Sequence, residues 1–355
     1  MQIDSVIKTI QSLARYTFEN YKKPNFQKLP TLFLWGCYGI GKSTIVSEIA
    51  QEFKAGFVDR RMAQDDQTDF KGIPDLKSGD EFSRWKPPAD IPFEGNTNVP
   101  ETGIWFLDEF NLANKSVMKA GYEAILDHRL GGKPLKKGWI IIAAGNERGQ
   151  SAFVEDLPKP LETRFWHITL DTNLESWTTW AMKHDIVPEI IAFLNWKMDF
   201  FCKIDVKNSF RGAPIPRTWE FVSRLWNVVP PETRASMVTG CVGESASVTF
   251  FAYLEYYKEL PDINKIIEGE NLIPTKREIL IAVCTSLVAY TKGIETTKIK
   301  KVYTRILEYA EKLDSEFSVF LVKTLIKAVD EKQGAIIGML PQFRSWIAKN
   351  PSLKD

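Results

Sequence analysis

Ile3, Val6, Ile7, Ile10 and Leu13 recur at spacings of three and four, which predicts an amphipathic helix ahead of the first strand. The period then breaks. TLFLWG, residues 31 to 36, is continuously apolar, as expected of a strand buried on both faces of a parallel sheet. GFVDR near 56, GIWFLDEF from 103, WIIIAAGN from 139 and FWHITL from 165 read the same way. Helical patterns lie between several of them, in STIVSEIAQEF from 43 and NKSVMKAGYEAILDHRL from 114. Strand and helix therefore alternate to about residue 170, which predicts a three-layer α/β core over residues 1–171. The Pro- and Gly-rich stretch at about 65–100 is too long for an ordinary connector and is taken as an insertion in that core. Beyond 171 the long segments keep helical spacing without strand alternation, so the second half is expected to be all-helical.

Composition narrows the class. The chain has 355 residues, 44% of them apolar, and 46 Lys+Arg against 45 Asp+Glu leave 46 − 45 = +1. This is ample core-forming material, and the charge balance disfavours a surface coated for nucleic acid. ILIAVCTSLVAY, residues 279 to 290, is too short to span a bilayer. MQIDSVIKTI carries Asp4 and Lys8 where a secretory signal needs an unbroken apolar run, so a soluble cytoplasmic protein with no membrane contact is expected. Cys37, Cys202, Cys241 and Cys284 form no CxxC pair and read as reduced thiols. His128, His167 and His184 lack metal-ligand spacing and read as packing or surface residues.

Three motifs carry chemistry. GCYGIGKS, Gly36 to Ser43, fits G-x-x-x-x-G-K-S/T between a strand and a helix. Its glycines let backbone amides turn toward phosphate oxygens at a helix N-terminus. Lys42 is expected to reach the β/γ-phosphates and Ser43 to hold Mg²⁺. IWFLDEF drives a buried strand into Asp108 and Glu109, a costly end unless a cation meets it. Asp108 then serves Mg²⁺, and Glu109 orients and deprotonates the attacking water. WIIIAAGN ends a third strand at Asn146, where it is placed to position that water.

GCYGIGKST, IWFLDEFN and IIIAAGN, in this order, resemble the phosphate loop, metal-binding strand and first sensor of AAA+ ATPases. DFKGIPDL with Asp69 and Gly72, EFSRWKPPADIP, LDHRLGG and LPKPLETRFW are similar to segments of the MoxR-type branch in the helix-2-insert group. PIPRTWEFVSRLW and GCVGESASVTFFAYLEYY resemble MoxR-like ATPases associated with von Willebrand factor A domain proteins. The resemblance implies that Gly36, Gly39, Ile40, Gly41, Lys42, Ser43, Thr44 and Asp108 bind ATP and Mg²⁺. It also implies that Arg164 is an arginine finger acting in trans and Arg217 the second sensor. Residues 172–260 then form a helical lid and 261–355 a C-terminal helical extension. Tyr38 departs from the family's usual proline, and Cys37 is unusual within the loop. Arg129 in LDHRLGG reads either as a trans contact or as an ion pair with Asp127.

A finger acting in trans implies an oligomer, and the family implies a six-membered ring. The expected function is an ATP-hydrolysing remodelling chaperone for a protein client or a von Willebrand factor A domain partner. The alternatives are a DNA-directed motor of a restriction or replication system, and a nucleotide-gated scaffold with little turnover. The loop near residues 81 to 95 and a hairpin around Gly131 to Gly138 are candidate partner contacts, the latter through Lys133, Lys136 and Lys137 or else as a solvated turn.

Overall fold

A computed structural model describes residues 1–75, 84–147, 157–203, 212–292, 294 and 296–350; residues 81–83 of the predicted partner loop lie outside them. The chain forms two compact units, Met1–Asn173 and Leu174–Asp355.

Five parallel strands build the first unit: β1 (Thr31–Trp35), β2 (Gly56–Arg61), β3 (Thr102–Asp108), β4 (Gly138–Gly145) and β5 (Phe165–Thr169), in the order β2-β3-β4-β1-β5. Every residue of the central β4 is buried, which is why WIIIAAG shows no polar alternation. One face of the sheet, with Phe33, Trp105, Leu107, Ile141 and Ala143, shares a core with Val117, Met118, Ala120 and Ala124 of α3 (Lys115–Asp127). The alternate residues Leu32, Leu34, Ile104, Phe106 and Ile142 are buried as well, on the face covered by α1 (Ile3–Asn20) and α2 (Lys42–Glu52). The three-layer α/β core is thus present.

Trp139 locks three strands together. Gly56, Gly103 and Trp139 lie side by side across β2, β3 and β4, and a Cβ on either glycine would approach the indole to 2.8 or 2.6 Å. The indole Nε1–H donates to Pro100 O at 2.9 Å.

Two short hairpins decorate the sheet: Ile73–Asp75 with Arg84–Lys86, and Arg129–Leu130 with Lys133–Pro134. The second turns through Gly131 and Gly132, both at positive φ, which suits a two-residue hairpin turn. The expected lysine cluster is corrected here. Lys136 is only 4% exposed, and its Nζ donates to Glu101 Oε1 at 2.7 Å and Val99 O at 3.0 Å. Its charge is used inside the fold, so Lys133 and Lys137 alone remain at the surface.

The described part of the second unit is all-helical, with one apolar core running from Trp177 to Trp346. The long apolar run ILIAVCTSLVAY is a helix, Arg277–Tyr290, buried on nearly all sides. Among the described residues no helix is long and apolar enough to cross a membrane. Arg305, only 8% exposed, donates to Ile266 O, Glu270 O and Asn271 Oδ1 at 2.7 to 2.8 Å, which satisfies a charge that would otherwise be costly to bury.

His128 caps α3 in the left-handed region at φ 53°, and its Nε2 is buried without a hydrogen-bond partner. Burial, assisted by the nearby Lys28 charge, pushes the imidazole down from 6.5 to about 4. Between these pH values the unfolded chain binds the proton and the folded chain does not, so stability is lost as pH falls through that window. His128→Asn keeps a residue tolerant of this conformation but removes the titration. Urea denaturation between pH 7 and 4 should find the wild type losing up to about 1.4 kcal/mol per pH unit more than the variant. Parallel pH profiles would refute this.

Candidate functional site

Because β1, β3 and β4 are parallel, their carboxyl ends, Trp35, Asp108 and Gly145, lie along one edge of the sheet, where ligands of open α/β sheets gather. The Gly36 amide extends the ladder by donating to Gly145 O at 3.3 Å. A Cβ on Gly36 would lie 2.6 Å from Ile40 Cδ1 and 3.2 Å from Leu170 O, so the backbone is closely packed at the start of the curl. Gly39 and Gly41 hold φ of 74° and 95°, turning the chain directly into α2. Ile40 is buried and anchors the loop, while Ser43 and Thr44 stand in the first helical turn.

Lys42 is the buried cation of the site, at 7% exposure. Its Nζ donates to Gly36 O at 2.7 Å, Cys37 O at 2.9 Å and Asn146 Oδ1 at 3.1 Å. Loop, helix start and the end of β4 thus converge on one ammonium. The loop's tight glycine, the helix N-terminus and this ammonium suit a phosphate chain. Ser43 and Asp108 offer the hard oxygens that Mg²⁺ takes together with substrate phosphates.

Asp108 and Glu109 are half-buried at the end of β3. Glu109 sits in the left-handed region, φ 54° and ψ 34°, and its amide donates to Asp108 Oδ1 at 2.8 Å. A non-glycine residue in that region is strained, a feature that gathers at functional sites. Asp59 on β2 joins them. Its carboxyl is pushed above the usual range, first by burial and then by the charge of Asp108, with Arg61 opposing and Glu109 adding to it. Sequence reading passed over Asp59, although an acid within the predicted strand GFVDR was the available signal.

Asn111 was passed over as well. It is fully buried in the turn after Glu109; its Nδ2 donates to Asn146 O at 2.8 Å, and its Oδ1 accepts from Asn146 N at 3.1 Å. The signal lay in IWFLDEFN, where a polar residue follows a run that has to be buried.

Arg164 lies elsewhere in the unit. It directly precedes β5, whose Phe165 pairs with Thr31 at the start of β1, so it stands at the opposite edge of the sheet from Gly36. The length of β1 separates them, about 13 Å of strand. Arg164 is exposed and within electrostatic reach of Tyr122, whose hydroxyl is raised mainly by burial. Arg129 donates to Gly132 O in its own hairpin. Arg217 is exposed in the first turn of the helix Pro216–Trp226, in the second unit. Among the described residues no cluster of three or more His, Cys, Asp or Glu side chains is arranged to hold a metal.

No family profile matches the chain, and no curated protein does. Solved structures align with it loosely. The Holliday junction branch migration motor RuvB of Thermotoga maritima is 19% identical, over 86% of this chain and 87% of that one, with a TM-score of 0.37. A mutant of that protein is 18% identical over 87% and 88%, with a TM-score of 0.39. A Cytophaga hutchinsonii protein, provisionally an ATPase, is 12% identical over 67% and 80%, with a TM-score of 0.32. Alignments this loose assign no activity or partner to the chain.

The raised Asp59 carboxyl means that the folded chain holds this proton more tightly than the unfolded one. Stability is therefore lost as pH rises through the raised value. Asp59→Asn should stabilise the nucleotide-free protein at pH 7, by under about 1 kcal/mol because the group is half-exposed. Denaturation at pH 7 and pH 4 checks it, and a variant less stable at pH 7 would contradict the clustering of like charges.

Proposed function

We propose that the chain is an ATP-hydrolysing AAA+ ATPase of the MoxR-like kind, working as a cytoplasmic six-membered ring, as the resemblance implies. The observation that carries this reading is the placement of its cations on opposite edges of one sheet. Lys42 is buried at the carboxyl edge beside Asn146, whereas Arg164 is exposed at the amino edge, too far to serve the same nucleotide. A cation so placed suits the nucleotide of a neighbouring copy, and head-to-tail contacts that close give a ring.

In this reading Gly36, Gly39, Ile40, Gly41 and Thr44 cradle the phosphates, and Lys42 pairs with the β/γ-oxygens. Ser43 and Asp108 hold Mg²⁺, which when bound neutralises charge on the transferred phosphoryl group. Glu109 takes the proton of a water that attacks the γ-phosphorus as the bond to the β–γ bridging oxygen breaks. Asn146 orients that water, Arg164 of the adjacent copy stabilises the transition state, and Arg217 reports the γ-phosphate to the helical unit. Residues 172–260 act as the lid and 261–355 as an extension, and the work is remodelling of a protein client or a von Willebrand factor A domain partner.

Glu109→Gln should bind ATP with near-wild-type affinity and hydrolyse it at least about 100-fold more slowly. Phosphate release together with size-exclusion chromatography in ATP reads both, and full turnover by the variant removes Glu109 as the base. Arg164→Ala should likewise keep ATP binding but lose about 10³-fold in kcat. Mixing the two variants distinguishes the finger: a copy carrying Arg164→Ala should restore some turnover when mixed with a Glu109→Gln copy, since each supplies what the other lacks. No recovery in the mixture counts against a site shared between copies. Strong stimulation of turnover by DNA, weakening steeply with salt, would replace the chaperone reading with the DNA-directed one.

A further inference from the structure

We infer that Asn111 is a positioning residue that fixes the water-orienting Asn146 to the turn carrying Glu109, an assignment that rests on the ATPase reading above. The pairing of β3 with β4 ends at Leu107 and Ala143: Asp108 stays paired with Arg61 of β2 on the other side, and Glu109 leaves the sheet at positive φ. Asn146 lies beyond β4, where its amide and carbonyl no longer have a strand beside them on that side. The Asn111 carboxamide takes that place: Nδ2 donates to Asn146 O at 2.8 Å, and Oδ1 accepts from Asn146 N at 3.1 Å. A side chain here continues a backbone ladder.

Three further observations give the pair a direction. Asn111 is fully buried, so both of its polar groups need partners, and the paired geometry supplies them. Gly145 leaves the room, since a Cβ there would come within 2.6 Å of Asn111 Oδ1. Held by its backbone, Asn146 sends Oδ1 to Lys42 Nζ at 3.1 Å. Asn111 itself belongs to the short 3-10 turn Phe110–Leu112, whose N-cap is Glu109. The base and the sensor are therefore carried on one hydrogen-bonded piece, and Asn111 acts through Asn146 without touching the reacting atoms.

Asn111→Leu keeps the volume and removes both bonds. It should lower kcat by roughly 10- to 100-fold while changing affinity for a fluorescent ATP analogue by less than about 3-fold. The double variant Asn111→Leu with Asn146→Ala should be no slower than Asn146→Ala alone, because the two losses share one path. In nucleotide-free protein, hydrogen exchange at the Asn146 amide should speed up by at least about 10-fold. If Asn111→Leu melts below the assay temperature, Gly145→Ala carries the test, since its methyl displaces the carboxamide without removing it. Unchanged kcat, unchanged exchange, or losses that multiply in the double variant would each overturn the positioning role alone. A wild type with no ATP turnover would overturn the ATPase reading and this role together.

Discussion

A positive charge that is more than nine-tenths buried has to be met from every side, and Lys42 places such a charge at the end of the central strands. Its partners explain the local structure around it. The carbonyls of Gly36 and Cys37 must turn inward, which requires the curled loop and its positive-φ glycines. Asn146 must direct its carbonyl oxygen at the same ammonium, which requires its backbone to be held, and that task falls to Asn111. Gly145 must then lack a side chain. One buried ammonium thus ties together three segments far apart in sequence.

The sheet makes this convergence possible by keeping the strand ends in register. Trp139, laid across Gly56 and Gly103, is the lock at the opposite end of the same strands. An added methyl under the indole would push β2 and β3 away from β4, and the carboxylates of Asp59 and Asp108 at their far ends would move with them. Burial first, and then the like charge of Asp108, hold the Asp59 carboxyl above its usual range there. In the ATPase reading, Mg²⁺ held by Ser43 and Asp108 would relieve part of that repulsion.

The polar residues that look spare in composition are mostly committed. Lys136 and Arg305 are cations spent on internal carbonyls, one bracing the start of β4 and the other pinning helices of the second unit. This is why a basic string such as KPLKKGW offers less surface charge than its letters suggest. The cations left at the surface include Arg164 and Arg217, the two that the ATPase reading requires to be free to move toward a ligand.

What the sequence by itself determined is what depends on local order along the chain. Apolar runs without alternation specify buried parallel strands, and the spacing of glycines before Lys42 specifies a loop that curls at a helix start. The strand-ending Asp108 and Glu109 and the helical second half were legible for the same reason. Only the tertiary structure decided which of these local features meet. Asn111 is one polar letter after an apolar run, and nothing nearby in sequence announces a partner 35 residues away. Asp59 gains its meaning from the pairing of β2 with its neighbour β3, which brings it near Asp108, and Lys136 loses its expected exposure to Glu101 and Val99. Hydrogen bonds and charge pairs between strands are set by register, and register comes from how the faces pack, which a linear pattern constrains without specifying.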